Sequence, residues 1–384
     1  MSFTIQPNLH YFFLLLLILA SSSSSYNASE NQSVVSTIMI FGDSTVDSGN
    51  NNYIPTIAKS NFPPYGKDFV DHVPTGRFSN GRLVTDFVAN YLGIKENVPP
   101  YLDPTLSLEE RMTGVSFASA ASGQDPLTAA ILVYLKQPQT YVNIIPVLRQ
   151  LEELREYKST LEETIGHDQT NELINNALFI VSAGTNDFVI NYFALPIRRI
   201  NYTIPAYMDF LLGQTRVLLQ GLMDQGARLI GVAGLPPMGC LPLMITVYSG
   251  GPNLRRDCVS NFSSIARDYN KMLRNELNNM QLQLQTQGIR IVYLDIYTPL
   301  EDMILGRKYG FEEVSKGCCG TGLLEVSFLC NALSIVCEDA DEYVFWDSVH
   351  PSQKAYDIIF QSLRPIIDTM LTKTDPITGF TDMK

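Results

Sequence analysis

Residues 38–51 read IMIFGDSTVDSGNN. Four apolar residues, Ile38 to Phe41, run straight into Gly42, Asp43 and Ser44. A short apolar run that ends at a glycine reads as a buried strand delivering one hydroxyl into a turn. In an open α/β sheet, ligands bind in the crevice beyond the strand C-termini. Ser44 in that crevice is a nucleophile if a base reaches it. The alternative is a serine that only caps the next turn.

Four further stretches carry the strand pattern: TGVSFA at 113–118, ALFIVS at 177–182, RLIGVA at 228–233 and IRIVY at 290–294. The unbroken apolar run at 177–182 is what a strand buried on both faces requires. Helical spacing falls between them. One helix is expected within 82–92. A second covers 143–158, with Ile144, Ile145, Leu148, Leu151 and Leu154 on one side. A third covers 206–223, with Tyr207, Phe210, Leu211, Val217, Leu218 and Leu222 inward. A fourth covers 261–286, carrying Phe262, Ile265, Tyr269, Leu273, Leu277 and Met280. A last one covers 353–371, with Pro351 and Ser352 as its start signal. Five strands alternating with helices predict a parallel sheet covered on both faces. The 384 residues would allow two domains. No linker divides the chemistry-bearing stretches between Ser44 and His350, so a single domain over 26–384 is expected.

The composition, 45% hydrophobic, is ample for a large core. Lys and Arg number 27 against 39 Asp and Glu, a net charge of −12, which argues against a nucleic-acid partner. Residues 11–20, YFFLLLLILA, precede a run of serines, Ser21 to Ser25. Ten apolar residues fall short of the ~20 that span a bilayer. They read as the apolar core of a signal peptide covering 1–25, although no Lys or Arg precedes them. An exported protein without a transmembrane segment is expected. Asn27, Asn31, Asn201 and Asn261 each open an N-x-Ser/Thr acceptor sequence for glycosylation. Six cysteines, an even count, suggest disulfides. Six cysteines allow about 15 pairings, of which the expected partition joins Cys240 to Cys258 and leaves Cys318, Cys319, Cys330 and Cys337 to pair among themselves. Zinc is the competing reading; the cysteine spacing and the scarcity of histidine speak against it.

After residue 25 three histidines remain. His72 (DHVPTG) and His167 (GHDQTN) lie in polar loops and read as solvated. His350 lies in VFWDSVHPS, with Asp347 three positions before it. Pro351 biases His350 away from helix, and a turn of that length folds the Asp347 carboxylate back onto the imidazole. Phe345 and Trp346 are placed to shield the pair from water. In SAGTNDF, 182–188, Gly184 permits a tight turn and Asn186 projects its amide toward the same sheet edge as Ser44. Asn186 and Asp187 making only local turns is the plain alternative. In GVSFASAASG, 114–123, small residues let backbone N–H groups approach a ligand.

FGDS, GVSFASAASG, GTND and DSVHP come in the order and position of the four blocks of the SGNH, or GDSL, esterase/lipase family, which this chain resembles. The NNY of 51–53, PPYG of 63–66, PTGRFSNGR of 74–82, LPPMGCLP of 235–242 and CCG of 318–320 resemble its plant branch. The likeness runs from about Ser36 to Leu371. It implies a flavodoxin-like three-layer α/β/α sandwich with a five-stranded parallel sheet. It also implies hydrolysis of carboxylic esters, small or polymeric, with no metal or cofactor. By resemblance Ser44 is the nucleophile, His350 the general base and Asp347 the acid that orients it. The oxyanion hole is then the Ser44 N–H, the Asn186 amide and the N–H of Ala121, or alternatively Ala120. Many members carry Gly-Gly where this chain has Ala120-Ala121; alanine there is strained if φ must be positive. No G-x-S-x-G occurs, so a sharp nucleophile elbow is not expected and the site should be shallow. Two alternatives stay open: acyl transfer through the same triad, and a non-catalytic extracellular binding glycoprotein on the same fold.

Overall fold

The computed structural model describes residues 35–134, 143–249, 256–306 and 308–371. The expected signal peptide, Asn27 and Asn31 lie outside them. The strands are β1 (Thr37–Gly42), β2 (Gly114–Ser116), β3 (Ala177–Ser182), β4 (Leu229–Ala233) and β5 (Arg290–Leu294). They pair in parallel in the order β2-β1-β3-β4-β5. Parallel neighbours need crossover connections, and helices supply them. The chain leaves β1 toward β2 and then returns to add β3 on the other side. The β1/β3 boundary is therefore the topological switch point, where doubly wound sheets bind ligands.

The helices are α1 (Val84–Tyr91), α2 (Leu108–Met112), α3 (Pro126–Tyr134), α4 (Val147–Ile165), α5 (His167–Asn175), α6 (Ile204–Asp224), α7 (Pro242–Tyr248), α8 (Ser260–Leu284), α9 (Tyr297–Ile304) and α10 (Gln353–Leu371). Helices α4, α6 and α8 pack beside one another; α1, α9 and α10 form a second group, and β5 touches both α8 and α10. Alternation along β3 explains the two layers, because successive side chains point to opposite faces. Phe179 stacks on Phe41, which stacks on Phe117, itself edge-on to Tyr157 of α4. Leu178 and Ile180 face the other way, toward α10. This is the α/β fold with a five-stranded parallel sheet and flanking helices that the sequence leads one to expect.

Several details differ. The helix expected from residue 143 starts at Val147, with Ile144 and Ile145 buried just ahead of it. Val217, expected inward, is 54% exposed. The buried face of α6 runs through Leu211, Thr215, Leu218 and Leu222, about one hundred degrees around from Val217. His167 does not sit in a loop; it opens α5 after Gly166. A second, two-stranded parallel pair joins β6 (Glu313–Gly317) to β7 (Tyr343–Phe345). It escapes the apolar pattern because EVSKG is short and polar. Three disulfides, Cys240–Cys258, Cys318–Cys337 and Cys319–Cys330, follow the expected partition. Among the described residues no helix is long and apolar enough to cross a membrane.

Candidate active site

Gly42 ends β1 at φ +143, and a Cβ there would lie 1.9 Å from the Ser182 carbonyl oxygen of β3. Only glycine allows this approach. The chain then turns. Asp43 Oδ1 accepts from the Thr45 N–H (3.0 Å) and the Thr45 hydroxyl (2.8 Å). Ser44, between them, is presented above the β1/β3 boundary, 8% exposed. Burial pushes the Asp43 carboxyl up; its bonds from Thr45 and the nearby His350 oppose that.

The polar residues after Ser44 bind backbone. Asp47 accepts from Gly49 N–H, Asn50 N–H and Ala120 N–H (2.9 Å). Asn50 donates to Ser116 O and Ala118 O, and Asn51 donates to Ala120 O. These bonds fasten the turn after β1 to the segment after β2, which fixes Ala121. Burial pushes Asp47 up to about 6 in spite of them. Ala121 takes φ +66, the left-handed region. For a non-glycine residue that costs roughly 1–2 kcal/mol. The strain foreseen for an alanine at this position is therefore present.

Asn186 follows β3 and donates from Nδ2 to Ser122 O at 2.8 Å. The amide has two hydrogens, so one remains for a ligand. Asp187, fully buried, accepts from Gln124 N–H, Asp125 N–H and the Thr128 hydroxyl. Burial pushes it up to about 7. Asp125 is held in turn by Arg198 (2.6 and 2.7 Å) and Tyr207. Neither Asn186 nor Asp187 serves merely as a local turn, because both reach across to 122–128.

At the far end of the chain, Asp347 Oδ1 accepts from Val349 N–H (2.9 Å) and His350 N–H (2.7 Å). This closes the D-x-x-H turn. It sets the His350 Nδ1 at 2.9 and 2.8 Å from the two carboxylate oxygens. His350 Nε2 lies 2.8 Å from Ser44 Oγ. Ser44, His350 and Asp347, with 306 positions between the serine and the histidine, thus form one buried chain of hydrogen bonds. His72 and His167 are exposed and take no part.

Two side-chain supports were not foreseen. The Tyr65 hydroxyl donates to Asp347 Oδ2 at 2.8 Å and accepts from Ser327 N–H at 2.8 Å. Phe78 packs against the imidazole, ring centroids 4.9 Å apart. Trp346 does shield the carboxylate, though indirectly, by packing edge-on to Tyr65. The sequence suggests Phe345 as the second shield, but the ring on His350 is Phe78. The cysteine-rich segment backs all of this: Cys318 N–H donates to Phe345 O, Cys319 N–H to Trp346 O, and Ser348 N–H to Glu325 O. The only signals for these partners were PPYG and PTGRFSNGR, which mark ordered turns without saying what they touch. Nor is the site confined to a shallow surface. An apolar cavity lies directly beside it, under Thr45, Val349 and Ser182.

A Ser-His-Asp chain on a parallel α/β sheet recurs in unrelated hydrolases, so geometry alone leaves the family undecided. Residues 38–363 match the family model described as GDSL-like Lipase/Acylhydrolase. The chain belongs to the GDSL esterase/lipase family. Three Arabidopsis thaliana proteins named GDSL esterase/lipase are similar to it along most of their length. One is 55% identical over 338 residues, 88% of each chain. Another is 44% identical over 334 residues, 87% of this chain and 89% of its own. A third is 44% identical over 349 residues, 89% and 93%. Membership in the GDSL family makes the chain a carboxylic ester hydrolase by class. In this GDSL protein the matched span runs from β1 into α10 and includes every side chain of the hydrogen-bond chain.

Proposed function

We propose that the protein is an exported serine hydrolase of acyl esters, a single domain following a signal peptide, with Ser44, His350 and Asp347 as its triad. The observation that carries this is the 2.8 Å contact between Ser44 Oγ and His350 Nε2, with Asp347 on the other ring nitrogen. Ser44 Oγ attacks the ester carbonyl carbon and its proton passes to His350 Nε2. Asp347 holds Nδ1–H and stabilises the imidazolium. The tetrahedral oxyanion is received by the Ser44 N–H, the Ala121 N–H and the free hydrogen of Asn186 Nδ2. Among the described residues the two backbone N–H groups have no other acceptor. Such donors are worth ~2.7–4 kcal/mol of barrier each. His350 then protonates the leaving alkoxide, and the acyl group stays on Ser44. Water repeats the sequence: His350 takes its proton, the acid departs, and Ser44 recovers its hydrogen.

Export is supported by the apolar run at 11–20 and by three disulfides, which persist in oxidising compartments. Asn201 and Asn261 are exposed and available for glycosylation. The test is nitrophenyl butyrate hydrolysis by wild type, Ser44→Ala and His350→Ala, all secreted and folded. Each variant is expected to lose at least ~10³-fold in kcat. A loss smaller than about tenfold in Ser44→Ala would end the triad reading.

A further inference from the structure

The pairing of Ile40 with Ser116 would set Gly42 opposite Ala118, but β2 ends at Ser116. The buried backbone groups of Gly42 still need partners, and other parts of the chain supply them. Gln150 of α4, fully buried and 108 positions away, accepts from the Gly42 N–H (2.8 Å) and donates from Nε2 to Gly42 O (2.9 Å). Ser119 N–H (3.0 Å) and the Ser122 hydroxyl (2.8 Å) donate to the same carbonyl. We infer that Ser122, seated with Gln150 on Gly42, is a positioning residue of the oxyanion hole: it holds the three donors in one frame. The inference rests on the proposed triad and donors, and adds the group that aligns them.

The donors come from three separate segments, and Ser122 is tied to each. Its hydroxyl reaches Gly42, two residues before Ser44. Its own neighbour in the chain is Ala121. Its carbonyl accepts from Asn186 Nδ2 at 2.8 Å, which occupies one amide hydrogen and so fixes the direction of the other. Ser122 N–H also donates to Ser119 O at 3.2 Å, closing a four-residue turn. Ala121 stands third in that turn at φ +66, the position where a type II turn takes positive φ. Both ends of the turn therefore donate to Gly42 O. In its middle, Ala120 O accepts from Asn51 Nδ2 at 3.1 Å. A planar trans peptide then sends the Ala121 N–H out on the opposite side from Asn51.

The plain alternative is a serine that only satisfies a buried carbonyl. Gly42 O does not need it. A carbonyl oxygen has two lone pairs, and Ser119 N–H and Gln150 Nε2 already meet them. What the Ser122 hydroxyl adds is a link between the nucleophile's strand and the turn carrying Ala121. Ser122 has no exposure, so solvent does not replace that link. Catalytic donors must be held within ~0.5 Å of their productive place. None of the hydrogen bonds of Ser122 runs to the Ser44 side chain, His350 or Asp347. Removing the hydroxyl therefore leaves the triad standing and loosens only the frame that receives the oxyanion.

The experiment compares wild type, Ser122→Ala and Gln150→Met, with folding checked by urea unfolding. It measures kcat and KM for nitrophenyl butyrate, and Ki for propyl trifluoromethyl ketone and propyl methyl ketone. On the trifluoromethyl ketone, Ser44 Oγ bonds to the carbonyl carbon, its proton passes to His350, and the carbonyl π pair moves onto oxygen as the oxyanion. That adduct mimics the transition state, whereas the methyl ketone binds without addition. Ser122→Ala is expected to lower kcat about fivefold to tenfold and to raise the trifluoromethyl ketone Ki by the same factor. KM and the methyl ketone Ki should stay within about twofold of wild type. Gln150→Met, which releases both Gly42 groups, should show the same pattern with losses of at least about tenfold, and it decides by the same ratio should Ser122→Ala not fold. A folded Ser122→Ala enzyme with kcat and trifluoromethyl ketone Ki within about twofold of wild type would overturn the inference and leave the hydrolase reading intact. Equal weakening of both ketones would overturn it too, since that is general loosening. If wild type neither hydrolyses the ester nor binds the trifluoromethyl ketone, both readings fall together.

Discussion

Replacing Tyr65 by Phe removes one hydroxyl and leaves the ring in its cluster with Phe62, Phe78 and Trp346. That hydroxyl donates to Asp347 Oδ2 at 2.8 Å, in a place with no access to solvent. A hydrogen bond to a buried charged group is worth ~1.5–3 kcal/mol. Asp347 keeps its backbone bonds from Val349 and His350 on Oδ1, so the turn itself survives. Oδ2 retains only the imidazole N–H, and the carboxylate gains freedom to rotate. Ser327 N–H also loses its acceptor. If half to all of the bond's worth acts on the transition state, kcat falls by about fourfold at the low end and somewhat over a hundredfold at the high end, at ~1.4 kcal/mol per tenfold. KM should change little, because the Tyr65 hydroxyl bonds to Asp347 and acts on the reaction only through that carboxylate and His350. The assay is steady-state hydrolysis of nitrophenyl butyrate, paired with urea unfolding to report the structural cost separately. In an Asp347→Asn background, Tyr65→Phe should add little, because the two act through one carboxylate. A folded Tyr65→Phe enzyme with kcat within about twofold of wild type would refute the idea that this hydroxyl holds the carboxylate in place. Equal losses in both backgrounds would refute it too.

Three further outcomes are expected. Asn186→Ala should lower kcat by about 10²–10³-fold with a much smaller effect on KM, since its free amide hydrogen meets charge that develops only in the transition state; steady-state kinetics checks this. Ala121→Gly should relieve the left-handed alanine and, after the entropy that glycine adds to the unfolded chain, raise stability by about 0.5–1 kcal/mol in urea unfolding. Stability should fall as pH rises from about 4 to 8. Burial, with Glu156 and Asp47 near, pushes Glu153 up to about 8, and burial pushes Asp187 up to about 7. In that range the unfolded chain has released these protons while the folded chain still holds them, so each unit of pH favours unfolding. Glu153→Gln should therefore match wild type near pH 4 and exceed it by up to about 5 kcal/mol near pH 9, read by denaturant unfolding across pH.

What the sequence disclosed followed from how local each signal is. The strands were legible because β1, β3 and β4 are covered on both faces and spell continuous apolar runs. The hydrogen bond between Asp347 and His350 was legible because three residues separate them and one turn joins them. Ser44 and Asn186 were legible as residues ending two strands, and the family blocks then joined them to His350. Tyr65 was not, since its partner lies 282 positions away and no periodicity records such a distance. Phe78 on His350 fails for the same reason. Asp47, Asn50 and Asn51 resemble reactive side chains when read along the chain. In the fold they hold backbone groups, which only the register of β1 beside β2 reveals. The cavity is the extreme case, because its walls are ordinary core residues and only their spacing in three dimensions makes it.

The central claim, that Ser44 is made nucleophilic by His350 across the β1/β3 boundary, is tested most directly by covalent labelling. Wild-type protein treated with a short-chain fluorophosphonate and mapped by peptide mass spectrometry should carry one adduct, on the peptide holding Ser44. Labelling should vanish in Ser44→Ala and slow at least about a thousandfold in His350→Ala, as loss of the base implies. An adduct on any other residue, or equal labelling of wild type and Ser44→Ala, would contradict the account.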